Sequence, residues 1–75
     1  MKSVTVMLDT ITKVKDFVNQ LITVPYEVDL VSGKYVIDAK SIMGIFSLDL
    51  SKPIELRIYS DDCEALLQKL TPFIV

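Results

Sequence analysis

The most informative part of the sequence is Lys40-Ser41-Ile42-Met43-Gly44-Ile45-Phe46-Ser47-Leu48-Asp49-Leu50. Ser41 stands directly before a run of apolar residues. It is a good N-cap, because its hydroxyl oxygen can accept a hydrogen bond from an N–H group in the first helical turn. The sequence therefore predicts a short, very apolar helix that begins after Ser41 and ends near Leu48.

This short helix carries more apolar side chains than one face can bury. Helical spacing assigns Ile45 and Leu48 to the core and leaves Met43 and Phe46 outside. We refer to Met43 and Phe46 as the apolar patch. Such a patch is typical of a protein-contact surface, and the flexible methionine side chain suits adaptable contacts. The alternatives are a contact between two copies of the chain or a flat helix that covers the sheet.

The residues before this stretch predict a strand, a helix and a hairpin. Residues 3–8 alternate as a strand does, and Asp9 or Thr10 then offers an N-cap. Apolar residues follow at helical spacing until Pro25. They are Ile11, Val14, Val18, Leu21 and Ile22, with Phe17 widening the stripe. Residues 26–31 and 34–38 read as two strands joined by a turn at Ser32-Gly33.

The residues after it predict one strand and one helix. Residues 54–59 alternate cleanly, with their first, third and fifth side chains on one face. Asp61 with Glu64 three residues later predicts a capping box at the start of a last helix. Cys63 falls on the buried stripe of that helix, which Pro72 ends or distorts.

Together these elements give the order β-α-β-β-α-β-α in one domain, residues 1–75. Strands with one polar face favour an antiparallel sheet with helices on one side only. The predicted fold class is α+β: a two-layer, open-faced β-sandwich with a four-stranded antiparallel sheet and three helices on one face.

Composition excludes several classes of function. The net charge is −2 and no basic cluster occurs, which argues against direct nucleic-acid binding. No apolar run approaches the roughly 20 residues of a membrane span, and the first residues lack the pattern of a signal peptide. The single cysteine has no partner for a disulfide or a metal site. We therefore expect a cytoplasmic protein without cofactor, metal or membrane contact.

Residues 33–58 resemble HPr, the small phosphocarrier of the bacterial sugar phosphotransferase system. The similarity lies in the hairpin glycine, Lys-Ser-Ile-Met-Gly, Ser-Leu-x-Leu and a lysine before the next strand. The element order is also that of HPr, and the resemblance extends from Val4 to about Leu70. It implies the HPr-like fold and a protein that is not itself an enzyme.

The chain departs from HPr where HPr carries its chemistry. There the link from the first strand to the first helix has a His-x-Arg-Pro signature whose histidine accepts phosphate. Here the link is Leu8-Asp9-Thr10-Ile11-Thr12-Lys13, and the whole sequence contains no histidine. Asp9 would repel a phosphoryl group, so no phosphocarrier residue is assigned and no catalytic residue is expected.

Ser41 matches the regulatory serine of HPr. The resemblance implies phosphorylation by an ATP-dependent HPr-type kinase, after which the protein binds a transcriptional regulator in carbon catabolite repression. The phosphate would face the N–H groups of Ile42, Met43 and Gly44 at the start of the helix. The alternative is that Ser41 only caps its helix.

Three functions follow as hypotheses. The first is a regulatory or adaptor protein that binds protein partners, controlled at Ser41. The second is a carrier of the phosphotransferase system that uses another nucleophile. The third is a structural domain that forms a homodimer through the apolar patch.

Overall fold

The chain folds into four strands and three helices in the predicted order, followed by a short 3-10 helix. The computed structural model describes residues 1–75. The elements are β1 (Lys2–Val6), α1 (Ile11–Leu21), β2 (Val28–Ser32), β3 (Tyr35–Asp38), α2 (Ile42–Phe46), β4 (Ile54–Ile58), α3 (Glu64–Leu70) and the 3-10 helix (Thr71–Phe73).

The four strands form one antiparallel sheet in the order β1-β4-β2-β3. Leu56 in the centre of β4 lies opposite Val4 of β1 on one side and Leu30 of β2 on the other. Leu30 and Leu56 are buried and Val4 is half-buried, so these residues mark the inner face of the sheet. The helices cover this face and leave the other open, which confirms the predicted α+β open-faced sandwich.

The core is entirely apolar. Seventeen residues are buried, and none of them is polar or charged. Phe17 of α1 meets Phe73 of the 3-10 helix edge to face, with 5.6 Å between the ring centres. Such aromatic pairs add to the burial of apolar surface. The packing therefore fixes the C-terminal end of the chain against α1.

The N-cap of α1 follows the prediction, but the burial of the residues at its two ends does not. The Thr10 hydroxyl oxygen accepts a hydrogen bond from the N–H of Lys13 at 3.1 Å, which makes Thr10 the N-cap. Ile11 and Ile22, predicted for the buried stripe, are 64% and 63% exposed. They lie at the first position of the helix and just after its last residue, where the neighbouring elements no longer cover the helix.

The hairpin between β2 and β3 turns at Gly33 and Lys34. Gly33 has a φ of +59°, and it is the one residue of the chain with a positive φ. A positive φ at the first central position followed by a negative one has the signs of a type II′ turn, which suits the twist of two paired strands. Glycine is favoured at that position because it has no Cβ.

The predicted capping box at α3 is wrong. The helix begins at Glu64, and its N-cap residue, Cys63, makes no side-chain cap. The Asp61 carboxylate instead accepts from the amino group of Met1 at 2.6 Å. Asp61 lies two residues before the N-cap residue Cys63, too early in the chain to cap the helix. Cys63 is buried as predicted, and α3 gives way to the 3-10 helix one residue before Pro72.

Candidate functional site around Ser41 and the apolar patch

Ser41 caps α2 as the sequence predicts. Its backbone is extended, and its side-chain oxygen accepts a hydrogen bond from the N–H of Gly44 at 3.3 Å. The side chain is exposed to solvent. The hydroxyl is therefore accessible from outside while it stabilises the first turn of the helix.

Glycine at position 44 leaves room for this arrangement. A Cβ placed on Gly44 would lie 3.3 Å from the Ser41 hydroxyl oxygen and 3.4 Å from Cδ1 of Ile37. The contact with Ser41 would be tighter than usual, so the Ser41 side chain would have to shift by a few tenths of an ångström. Gly44 thus lets α2 lie close to β3 without displacing the cap.

The helix that Ser41 begins is shorter than predicted. It ends at Phe46 and not near Leu48, because the N–H of Ser47 bonds to the carbonyl oxygen of Gly44 at 3.1 Å. The N–H of Leu48 likewise bonds to the carbonyl oxygen of Ile45 at 3.0 Å. Both bonds span three residues, as in a 3-10 turn, and tighten the chain out of the α-helix.

Because α2 is short, few of its backbone N–H groups could bind an anion. Gly44 already donates its N–H to Ser41, and Ile45 donates its own to the Ser41 carbonyl oxygen at 3.0 Å. The N–H groups of Ile42 and Met43 have no acceptor within the chain. A helix of five residues adds little dipole, so these two N–H groups are what the helix start provides.

The apolar patch lies on the outside of α2, as predicted. Met43 is 78% exposed and Phe46 is 42% exposed. On the inner side Ile45 is fully buried, and Ile42 and Leu48 are half-buried against the core. Because this short helix carries apolar side chains on both sides, the outer side must face either water or a partner.

The link between β1 and α1 holds a carboxylate and a helix cap. Asp9 lies 3.0 Å from the ammonium group of Lys13, and this hydrogen bond holds the pKa of Asp9 below its ordinary value. Thr10 is committed to capping α1. The link therefore presents an ionised carboxylate and a threonine oxygen that accepts a backbone hydrogen bond.

One residue of this region has a role that the sequence did not reveal. Nothing in the sequence distinguishes Lys40 from ordinary surface lysines, yet its Nζ donates to the carbonyl oxygens of Val24 and Tyr26 at 2.7 and 3.2 Å. Both acceptors lie in the loop between α1 and β2, far away in sequence, so no local pattern marks the contact. The amino group beside Ser41 is thus turned toward this loop.

Comparisons with known proteins point to one group. No family model and no curated protein matches the sequence. Among solved structures, HPr-C-His from Thermoanaerobacter tengcongensis matches with a TM-score of 0.78 and 26% identity, covering 96% of this chain and 89% of that one. Phosphocarrier protein HPr from Bacillus anthracis str. Ames matches with a TM-score of 0.71 and 25% identity, covering 99% and 94%. No helix has the length and apolar character needed to cross a membrane.

Proposed function

We propose that this HPr-like protein is a regulatory or adaptor protein that binds protein partners through the apolar patch and carries no phosphate on histidine. The likeness to HPr phosphocarriers supports a place beside the phosphotransferase system. The observation that carries the proposal is the exposure of Met43 next to an exposed Ser41. Met43 and Phe46 together form an exposed apolar patch on one face of α2, and contiguous patches of this kind mark interaction sites.

The chemistry of the chain argues against phosphate relay. A phosphorylated imidazole nitrogen is labile enough to pass its group on in both directions, and the sequence has no histidine. Serine, threonine, cysteine and aspartate form phosphate derivatives that differ from this phosphoramidate. At the β1–α1 link Asp9 is ionised and Thr10 is occupied as a cap. A carrier with another nucleophile is therefore the weaker hypothesis, and we infer that the protein is not an enzyme.

Control at Ser41 is the finer part of the proposal. An HPr-type kinase would transfer the γ-phosphoryl group of ATP to the Ser41 oxygen, with loss of the hydroxyl proton and release of ADP. The modification would add about two negative charges beside the apolar patch. The N–H groups of Ile42 and Met43 are free to donate to it. A transcriptional regulator with an apolar contact surface and a basic group would fit the chain phosphorylated at Ser41. We place this interaction in the cytoplasm.

Two phosphorylation reactions test this proposal. ATP with an HPr-type kinase should add one phosphate to the wild-type chain and none to Ser41→Ala. Phosphoenolpyruvate with Enzyme I should add none to either, because no imidazole is present. Intact-mass spectrometry measures both reactions, with an authentic HPr as the positive control. Acid-labile phosphate on the wild-type chain would refute the adaptor hypothesis, and kinase labelling that persists in Ser41→Ala would refute control at Ser41.

A further inference from the structure

The two edge strands of the sheet, β1 and β3, differ in whether their outer backbone groups are hydrogen-bonded. At its C-terminal end the outer edge of β1 is covered by the end of the chain: Met7 N–H, just after β1, donates to the carbonyl oxygen of Phe73 at 2.8 Å, and Val75 N–H donates to that of Thr5 at 3.0 Å. The outer edge of β3 has no neighbouring strand. An open strand edge is a template for pairing with another chain.

The register of the hairpin shows which groups of β3 point outward. Ser32 and Tyr35 close the hairpin, and Ala39 N–H donates to the carbonyl oxygen of Val28 at 3.0 Å. Residues that bond to the neighbouring strand alternate with residues that do not. The N–H and C=O groups of Val36 and the N–H of Asp38 therefore point away from β2, and the Val36 side chain is 56% exposed.

The charges on this edge are unbalanced. Asp38 lies directly opposite Asp29 across the β2–β3 pair, and like charges in that position repel. Asp29 has Arg57 opposite it on its other side, whereas Asp38 has no strand there. The Asp38 carboxylate accepts a hydrogen bond from the backbone N–H of Lys40 at 2.9 Å but has no cation beside it. The ammonium group of Lys40 is bound to loop carbonyls, and none of the three ion pairs of the protein includes Lys34 or Asp38.

We propose that β3 pairs antiparallel with β3 of a second copy of this chain, about a two-fold axis at Val36. In this register Val36 exchanges two N–H···O bonds with Val36 of the second copy. Lys34 lies opposite Asp38 of the second copy, and this pair occurs twice by symmetry. The second copy thus supplies the cation that Asp38 lacks within its own sheet.

The side chains fit the same register. Val31 lies opposite Val36 within the hairpin, so pairing creates a continuous row of four valines on the open face. On the inner side, Tyr35 of one copy meets Ile37 of the other. The contact joins the two four-stranded sheets into one. Since β3 has only four residues, the interface is small, and we expect association in the upper micromolar to millimolar range.

Sedimentation equilibrium and amide hydrogen exchange on the full chain test the pairing. We expect a monomer–dimer equilibrium in which protection of the Val36 amide rises with protein concentration. Val36→Pro removes an outward donor without breaking a bond inside the sheet and should abolish association, whereas Val36→Thr keeps the donor and should associate. A monomer at millimolar concentration with concentration-independent Val36 exchange would overturn the proposal, as would a dimer that survives Val36→Pro.

A charge exchange tests the register even if the proline variant fails to fold. Lys34→Asp and Asp38→Lys should each weaken self-association roughly tenfold or more, because like charges then oppose each other twice. Mixing the two variants should restore association as a heterodimer, detected by native mass spectrometry. Lys15→Asp, a change at an exposed lysine of α1 that makes no ion pair, is the matched control. Mixed variants that do not associate, or a dimer lost on changing the apolar patch instead, would refute pairing through β3.

Discussion

The Nζ atom of Lys40 lies 2.7 Å from the carbonyl oxygen of Val24, and the same group reaches the carbonyl oxygen of Tyr26 at 3.2 Å. The residue before Ser41 is thereby tied to the loop that leads from α1 into β2. Backbone carbonyls in a half-buried loop need donors, and a lysine can supply more than one. Lys40 thus positions the start of α2 against the rest of the fold.

Replacing Lys40 should therefore destabilise the protein. We expect Lys40→Met to lower the free energy of unfolding by about 2 kcal/mol, because hydrogen bonds from a charged donor are lost and the carbonyls stay half-buried. Lys52→Met is the control, with a change within about 0.5 kcal/mol, since Lys52 is exposed and makes no hydrogen bond. Urea unfolding measures both. Equal effects would show that the Lys40 bonds add nothing.

Removing the Ser41 hydroxyl should weaken α2 independently of any phosphorylation. We expect Ser41→Ala to cost about 1 kcal/mol through loss of the bond from the Gly44 N–H. Ser41→Asn keeps a side-chain acceptor and should stay close to the wild type. Thermal melting monitored by circular dichroism compares the three proteins. An asparagine variant as unstable as the alanine variant would mean that the cap is not what stabilises this helix.

Local patterns in the sequence were enough to predict the elements around the site. Alternating apolar residues predicted β4 because its inner side chains pack on helices and its outer ones face water. The N-cap at Ser41 could be predicted because its hydrogen bond with the Gly44 N–H spans only three residues of the chain. The exposure of Met43 followed from helical spacing and from the burial of Ile45.

Contacts between distant parts of the chain could not be predicted in this way. Asp61 and Glu64 have the spacing of a capping box, but the carboxylate of Asp61 is bound by an amino group 60 residues away. The carbonyl partners of Lys40 are 14 and 16 residues away. The hydrogen bonds of Phe73 and Val75 at the edge of β1 likewise depend on tertiary packing. Such competition from remote groups overrides a local signal.

Polar changes in the apolar patch should separate binding from folding. We expect Met43→Gln with Phe46→Gln to change the free energy of unfolding by less than about 1 kcal/mol, because both side chains are largely exposed. Ile45→Ala, on the buried side of the same helix, should cost about 3 kcal/mol. Melting curves give these values.

The same double variant should lose partner capture in a pull-down. If the patch forms a homodimer instead, the double variant will show a lower weight-average mass in sedimentation. The amount of partner captured in the pull-down will not change. Collapse of the fold in the double variant would show that Met43 and Phe46 belong to the core.

Three exposed carboxyl groups are stabilised in their charged form, and their pKa values lie below the ordinary 3.8. They are Asp9, Asp49 and Asp61. Hydrogen bonds are the main cause: from the Lys13 ammonium to the first, from the Ser51 hydroxyl to the second and from the Met1 amino group to the third. Each group lies at the surface, so its contribution is screened by solvent.

Acid should therefore destabilise the fold in a defined window. A carboxyl group with a lowered pKa in the folded state adds stability that is complete above its unfolded value, near 3.8, and is lost as the pH falls through the folded value. We expect the melting temperature to be level between pH 7 and about pH 5 and to fall below about pH 4. A variant with asparagine at positions 9, 49 and 61 keeps side-chain acceptors but cannot titrate there, so its melting temperature should fall less steeply with acid. Identical slopes in the two proteins would mean that the acid sensitivity arises from other carboxyl groups.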